Sequence, residues 1–122
     1  MKELMTMSVD VKRYLAQIRK INEKVNLDEE FPDWNKSVQF IIKNSTETAF
    51  YFVVDGGKVS KVEQGKLDKA DVIIEGKPEA MQRLFDGEIP IIGAFITKEL
   101  TITGPIGDAI GAKVLLEAAR IF

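Results

Sequence analysis

Between Ile89 and Ile96 the chain reads Ile-Pro-Ile-Ile-Gly-Ala-Phe-Ile, a nearly unbroken apolar run. No other stretch narrows the choice of fold as much. It is well short of the roughly 20 apolar residues that span a bilayer. Pro90 and Gly93 make it a poor central strand, because proline cannot donate to a ladder and glycine packs no side chain. An apolar segment between such backbone breakers has to be buried against something. Pro90 suits the first turn of a short helix. Lys98 and Glu99 follow, then the alternating Leu100-Thr101-Ile102-Thr103 and a turn at Gly104-Pro105. The expectation is a short helix, a fifth strand over Leu100–Thr103, and a terminal helix over Ile106–Phe122.

Upstream, apolar residues recur at helical spacing from Ser8 to about Lys24. Val11, Leu15, Ile18 and Val25 share a stripe, with Tyr14 and Ile21 beside it. Ser8 fits an N-cap, and Lys12, Arg13, Arg19, Lys20 and Lys24 face outward. A helix packed on a sheet explains this better than a basic helix lying on a membrane, since Glu23 and Asp28-Glu29-Glu30 follow at once. Those three carboxylates lack the alternating spacing of a calcium loop and read as a solvated turn. Strands are expected over Val38–Lys43, Thr48–Asp55, Lys58–Glu63 and Asp71–Glu75. Gly56-Gly57 marks a two-residue hairpin. The second strand carries apolar residues on both faces (Phe50, Phe52 and Val54 against Ala49, Tyr51 and Val53), so one sheet face is expected to be fully covered and the other partly. Pro78 opens a helix whose apolar face is Met81, Leu84 and Phe85, and Gly87 ends it.

At 122 residues the chain is expected to form one domain over 1–122. Lysine plus arginine number 17 against 19 acidic residues, a net charge of −2 that argues against a nucleic-acid partner. Neither cysteine nor histidine is present. That removes disulfides, Ser-His-Asp and Cys-His catalysis and His-Cys zinc sites. The first seven residues lack the apolar core of a signal peptide, and no segment qualifies as a membrane span, so a cytoplasmic location is expected. The spacing of Gly104, Gly107 and Gly111 matches no nucleotide-binding fingerprint, and a tight turn with close backbone packing accounts for them. Glu75, Asp86, Glu88, Lys98, Glu99 and Asp108 are the charges near the apolar region. No two of them are paired at a spacing that general acid–base chemistry would need. No catalytic residue, cofactor or metal ligand is assigned, and the chain is not expected to be an enzyme.

From Asp71 onward the order of features resembles the sterol carrier protein 2 (SCP2) family. The features are the strand Asp-Val-Ile-Ile-Glu, a helix ending Leu84-Phe85-Asp86-Gly87, the apolar segment around Ala94-Phe95, Leu100-Thr101-Ile102-Thr103-Gly104, and a terminal helix. The Leu-x-Ile-x-Gly piece is the most telling. The resemblance implies an α/β (α+β) fold with a five-stranded mixed, largely antiparallel sheet covered by helices. It also implies a hydrophobic tunnel between the sheet and the later helices. Such a tunnel would hold a fatty acid, acyl-CoA, sterol or isoprenoid-like lipid. Phe85, Ile91, Ile92, Phe95 and Ile96 are its candidate lining, with Leu100, Ile102, Ile106, Ile110 and Val114. For any one of them the alternative is ordinary core. Pro90 and Gly93 depart from the family pattern, and Ala119-Arg120-Ile121-Phe122 is not a peroxisomal address. The second reading is an accessory or scaffold subunit that presents an apolar groove to a partner such as a lipid-modifying enzyme. Transient contact with a membrane surface is compatible with either, and the oligomeric state is left open, a homodimer included.

Overall fold

In a computed structural model of the chain, the structure describes residues 11–20, 23, 35–43, 48–86, 93, 96–105 and 107–108. The elements in order are α1 (Val11–Arg19), β1 (Lys36–Ile42), β2 (Thr48–Asp55), β3 (Lys58–Gln64), β4 (Val72–Gly76), α2 (Pro78–Phe85) and β5 (Leu100–Thr103). β2 and β5 take the bounds their alternation predicts. β1 starts two residues earlier than expected, because Lys36 and Ser37 pair with Val54 and Val53 despite being polar. Gly56 and Gly57 both have positive φ, 61° and 80°, which is what a hairpin turn following the right-handed strand twist requires. Asn35 Oδ1 accepts a hydrogen bond from Gly56 N at 2.6 Å and ties that turn to the start of β1.

The five strands form one sheet in the order β3-β2-β1-β4-β5. The first three make an antiparallel meander, with a register shift between Val53 and Val54. β4 then docks parallel to β1, and β5 antiparallel to β4. The entry of the parallel pair is fastened by Asp71. Its Oδ2 accepts from Ser37 N at 2.8 Å and from Ser37 Oγ at 3.2 Å, while Asp71 N donates to Ser37 Oγ at 3.1 Å. Asp71 was expected as the first residue of a strand and serves as this clasp instead.

The register puts Val38, Phe40 and Ile42 of β1 on one sheet face with Phe50, Phe52 and Val54 of β2, Val62 of β3 and Ile74 of β4. All of these are buried, α1 packs on this side, and α2 reaches it through Phe85. Tyr14 stacks on Phe85 with ring centroids 4.3 Å apart, Phe40 stacks on Phe50 at 4.8 Å, and Phe85 also meets Phe40 at 5.5 Å. Aromatic pairs of this kind add about 0.5–1.5 kcal/mol each beyond the area they bury. α1 is further held by Gln17 Nε2 donating to Phe85 O (3.1 Å), Arg19 donating to Val62 O (3.1 Å), and an Arg13–Asp86 ion pair (2.6 Å).

The opposite face is the partly covered one. Ile41 and Tyr51 are buried there, whereas Ala49, Val53 and Ile73 are half-buried. Among them sits Gln39, only 2% exposed. Its Nε2 donates to Phe50 O (3.0 Å), Gly65 O (2.9 Å) and Phe40 O (3.2 Å), and its Oε1 accepts from Leu67 N (2.7 Å). A buried amide is tolerated only when so satisfied, and here it straps the loop after β3 to the centre of the sheet.

Two glycines are dictated by contact. Gly104 has φ +140°, and a Cβ there would lie 2.4 Å from Asp71 O and 3.3 Å from Val72 Cα. The glycine of Leu-x-Ile-x-Gly is therefore the residue that lets the end of β5 pass over the start of β4. A Cβ at Gly76 would fall 2.5 Å from Leu100 Cδ2. Gly107 has open space around it, so close packing does not account for it as expected, and Gly111 lies outside the described residues.

Candidate functional site

Four of the ten candidate lining residues fall within the described residues. Phe85 ends α2 and is buried in the aromatic cluster against Tyr14, Phe40 and Phe50. Leu100 belongs to the same continuous core, and Ile102 is half-buried against it. Through the pairs Ile74↔Ile102 and Gly76↔Leu100, both extend the helix-covered sheet face onto its last strand. Ile96 stands apart at 70% exposed. Ile91, Ile92, Phe95, Ile106, Ile110 and Val114 lie outside the described residues. So do the Asp28–Glu30 cluster and the Ser8 cap. α1 lies against β2 and β3, at the other end of the sheet from β5.

A second feature was not read from the sequence. An open cleft of about 560 Å³ lies where β1 and β4 end, lined by Lys43, Glu75, Gly76, Lys77, Glu79, Ala80, Arg83, Lys98, Glu99 and Thr101. Backbone pairing gathers them. Lys43 N donates to Gly76 O at 2.8 Å, and Gly76 faces Leu100 across the β4–β5 ladder. The residues leaving β1, leaving β4 and entering β5 therefore meet at one spot. Pro78 sits in the first turn of α2, where its missing N–H leaves no helical bond unmade, and no side chain caps the helix. The turn before β5 holds Lys98 at φ 67°, the left-handed conformation that ends a helix.

Ion pairs across the cleft are selective. Glu75 pairs with Lys43 at 3.7 Å. Glu99 bridges Arg83 (2.6 Å) and the Thr97 hydroxyl (3.0 Å). Lys77, Lys98 and Glu79 have no ion-pair partner among the described residues. Two other charges from the apolar region pair with bases elsewhere, Asp86 with Arg13 and Asp108 with Lys36 at 3.4 Å. Sequence spacing could not find the cleft, because its members are brought together by the parallel β1–β4 and antiparallel β4–β5 pairings.

No curated protein sequence matches the chain. Solved structures share its fold. A conserved hypothetical protein of Thermus thermophilus superposes with a TM-score of 0.70 at 19% identity, covering 94% of this chain and 92% of that one. Palmitated SCP2L2 of Aedes aegypti gives a TM-score of 0.65 at 19% identity, covering 90% and 95%. The UbiJ-SCP2 ubiquinone synthesis protein gives 0.63 at 17%, covering 87% and 95%. The model of the SCP-2 sterol transfer family matches residues 12–117, from the second residue of α1 past the last strand. On that match, together with the five-stranded mixed sheet, the chain belongs to the SCP-2 sterol transfer family.

Proposed function

We propose that the chain is a non-catalytic lipid carrier, holding one acyl, sterol or isoprenoid tail in an apolar tunnel at the β4–β5 end of the helix-covered sheet face. The family match over residues 12–117 carries this reading. Two further observations support it. The apolar face runs without a break onto Leu100 and Ile102. α1 packs on β2 and β3, away from the β4–β5 end of the sheet. Ile91, Ile92 and Phe95 would form one wall of the tunnel, and Ile106, Ile110 and Val114 another. The likeness to a palmitated relative is compatible with a fatty acid as ligand.

The energetics suit a tail-only site. Each buried methylene contributes about 0.8 kcal/mol, so a dozen give about 10 kcal/mol gross. Association costs at least about 4 kcal/mol of that, leaving about 6 kcal/mol and an affinity of roughly tens of micromolar without a specific polar contact. Selectivity between chain lengths would be weak, because one methylene discriminates by only about 1–3 kcal/mol.

Native mass spectrometry of the purified protein tests the reading. A co-purifying acyl, sterol or isoprenoid mass, displaced by a fluorescent fatty acid, supports it. A lipid-free mass with no uptake of the fluorescent acid ends it. Phe95→Asp is expected to abolish uptake while leaving the fold intact, and full affinity in a folded variant would defeat the wall assignment. The likeness to a ubiquinone synthesis protein favours a second reading. In it the domain presents its apolar groove, with or without a lipid, to a lipid-modifying enzyme. A stable complex with such an enzyme, formed by a lipid-free chain, is the result that would select it.

A further inference from the structure

We propose that the cleft at the carboxyl ends of β1 and β4 is a phosphate-binding site, with Lys77 and Lys98 as its donors. Three backbone strands converge there whatever side chains they carry, and the sequence places a lysine on each: Lys43 after β1, Lys77 after β4 and Lys98 before β5. Carboxyl ends of parallel strands are where open α/β sheets leave a crevice for ligands. Lys43 is engaged by Glu75, and Arg83 by Glu99. Lys77 and Lys98 are exposed on the same cleft with no counter-ion among the described residues, although the protein as a whole is acidic.

Charge decides which anion fits. The lining holds four cations and three carboxylates, Glu79 being the carboxylate without a partner among the described residues. A carboxylate ligand would bring one negative charge and two acceptor oxygens to a lining whose net charge is +1. A phosphate monoester brings about −1.5 to −2 at neutral pH and three acceptor oxygens. Three acceptor oxygens suit a lining that offers two ammonium groups and the Thr101 hydroxyl, and each bond to an ammonium is charge-assisted. Inorganic phosphate and the head of a phosphorylated lipid share this chemistry. Ile96, 70% exposed and two residues before Lys98, is an exposed apolar residue close in the chain to one of the two cations, and the first methylenes of a phosphorylated lipid would find apolar surface there. The lipid form of the proposal rests on the carrier reading, and the phosphate site does not.

Amide NMR titrations of the full chain at constant ionic strength provide the test, with inorganic phosphate, octyl phosphate and octanol as probes. Inorganic phosphate is expected to give saturable shifts centred on residues 76–79 and 97–101. A Lys77→Gln, Lys98→Gln double variant that keeps the native spectrum elsewhere should bind it at least about tenfold more weakly. Diffuse shifts, or a folded double variant with unchanged affinity, would overturn the site. Octyl phosphate binding about tenfold or more tighter than inorganic phosphate assigns a lipid head. Equal affinity overturns the lipid source and assigns free phosphate. Octanol reads the tail site alone, so its failure to bind counts against the carrier reading and leaves the cleft assignment standing.

Discussion

Replacing Gly104 with alanine should be the most damaging single-methyl addition among the glycines of the β4–β5 region. Its φ of +140° lies where side-chain-bearing residues carry about 1–3 kcal/mol of backbone strain. The new Cβ would sit 2.4 Å from a backbone oxygen, Asp71 O, with Val72 Cα behind it at 3.3 Å. A carbonyl cannot swing aside as a side-chain tip can. Relief therefore has to come from parting the Ile73↔Thr103 end of the ladder or from loosening the Ser37–Asp71 clasp. Losing one such hydrogen bond adds about 1 kcal/mol. The expected destabilisation is about 3–5 kcal/mol, a large share of the stability of a domain this size. Urea unfolding with linear extrapolation reads it, and two controls calibrate it. Gly76→Ala meets a leucine tip at 2.5 Å and a backbone oxygen at 3.1 Å at ordinary φ, and should lose about 1–3 kcal/mol. Gly107→Ala meets nothing within 4 Å in a helical residue and should be neutral or gain up to about 1 kcal/mol. A Gly104→Ala loss below about 1 kcal/mol, or equal losses at all three sites, would refute the contact argument.

Three further outcomes follow from the geometry. Gln39→Leu keeps volume but strands Leu67 N and Gly65 O, and should lose about 2–3 kcal/mol in the same urea assay, with faster amide exchange in the loop after β3. Lys77→Asp supplies the side-chain cap that α2 lacks, and should raise the melting temperature by a few degrees, about 1 kcal/mol, while weakening phosphate binding. Opposite signs in the two readouts are the point of that variant, and a melting temperature that falls would refute the capping argument. Tyr14→Ala removes the ring that stacks on Phe85 and meets Phe50 at a tilt, and should lose about 3–5 kcal/mol by calorimetry.

What the sequence made legible was local. Alternation located β2 and β5, Gly56-Gly57 located the hairpin, and helical spacing identified Tyr14, Leu15 and Ile18 as the buried side of α1. The partial cover of the second face was readable from Ala49, Tyr51 and Val53. What escaped was set by partners far away in the chain. No periodicity announces that β4 leaves the meander to lie beside β1, because the Ser37–Asp71 contact that fastens it joins residues 34 apart. Gln39 is a polar residue in an otherwise apolar strand, and its role as the buried strap of a loop depends on partners 26 and 28 residues away. Glu75, Lys98 and Glu99 looked like separate charges at element ends, and the sheet brings them to one cleft. The resemblance to the family, by contrast, rested on a glycine whose need is now visible in the approach of Asp71 O.

The parallel pairing of β1 and β4 also has a kinetic side. The β1–β2–β3 meander closes through short loops, whereas β4 reaches β1 only after the whole meander has been traversed. Closing that larger loop carries more chain entropy before any contact rewards it. The meander should therefore be formed in the folding transition state, with the fifth strand and the clasp added on the downhill side. A substitution at Ser37 or Asp71 would then speed unfolding and leave refolding nearly unchanged, whereas one at Phe52 would slow refolding. The portion that closes last should also open first, and it is the end of the sheet at which the proposed tunnel lies.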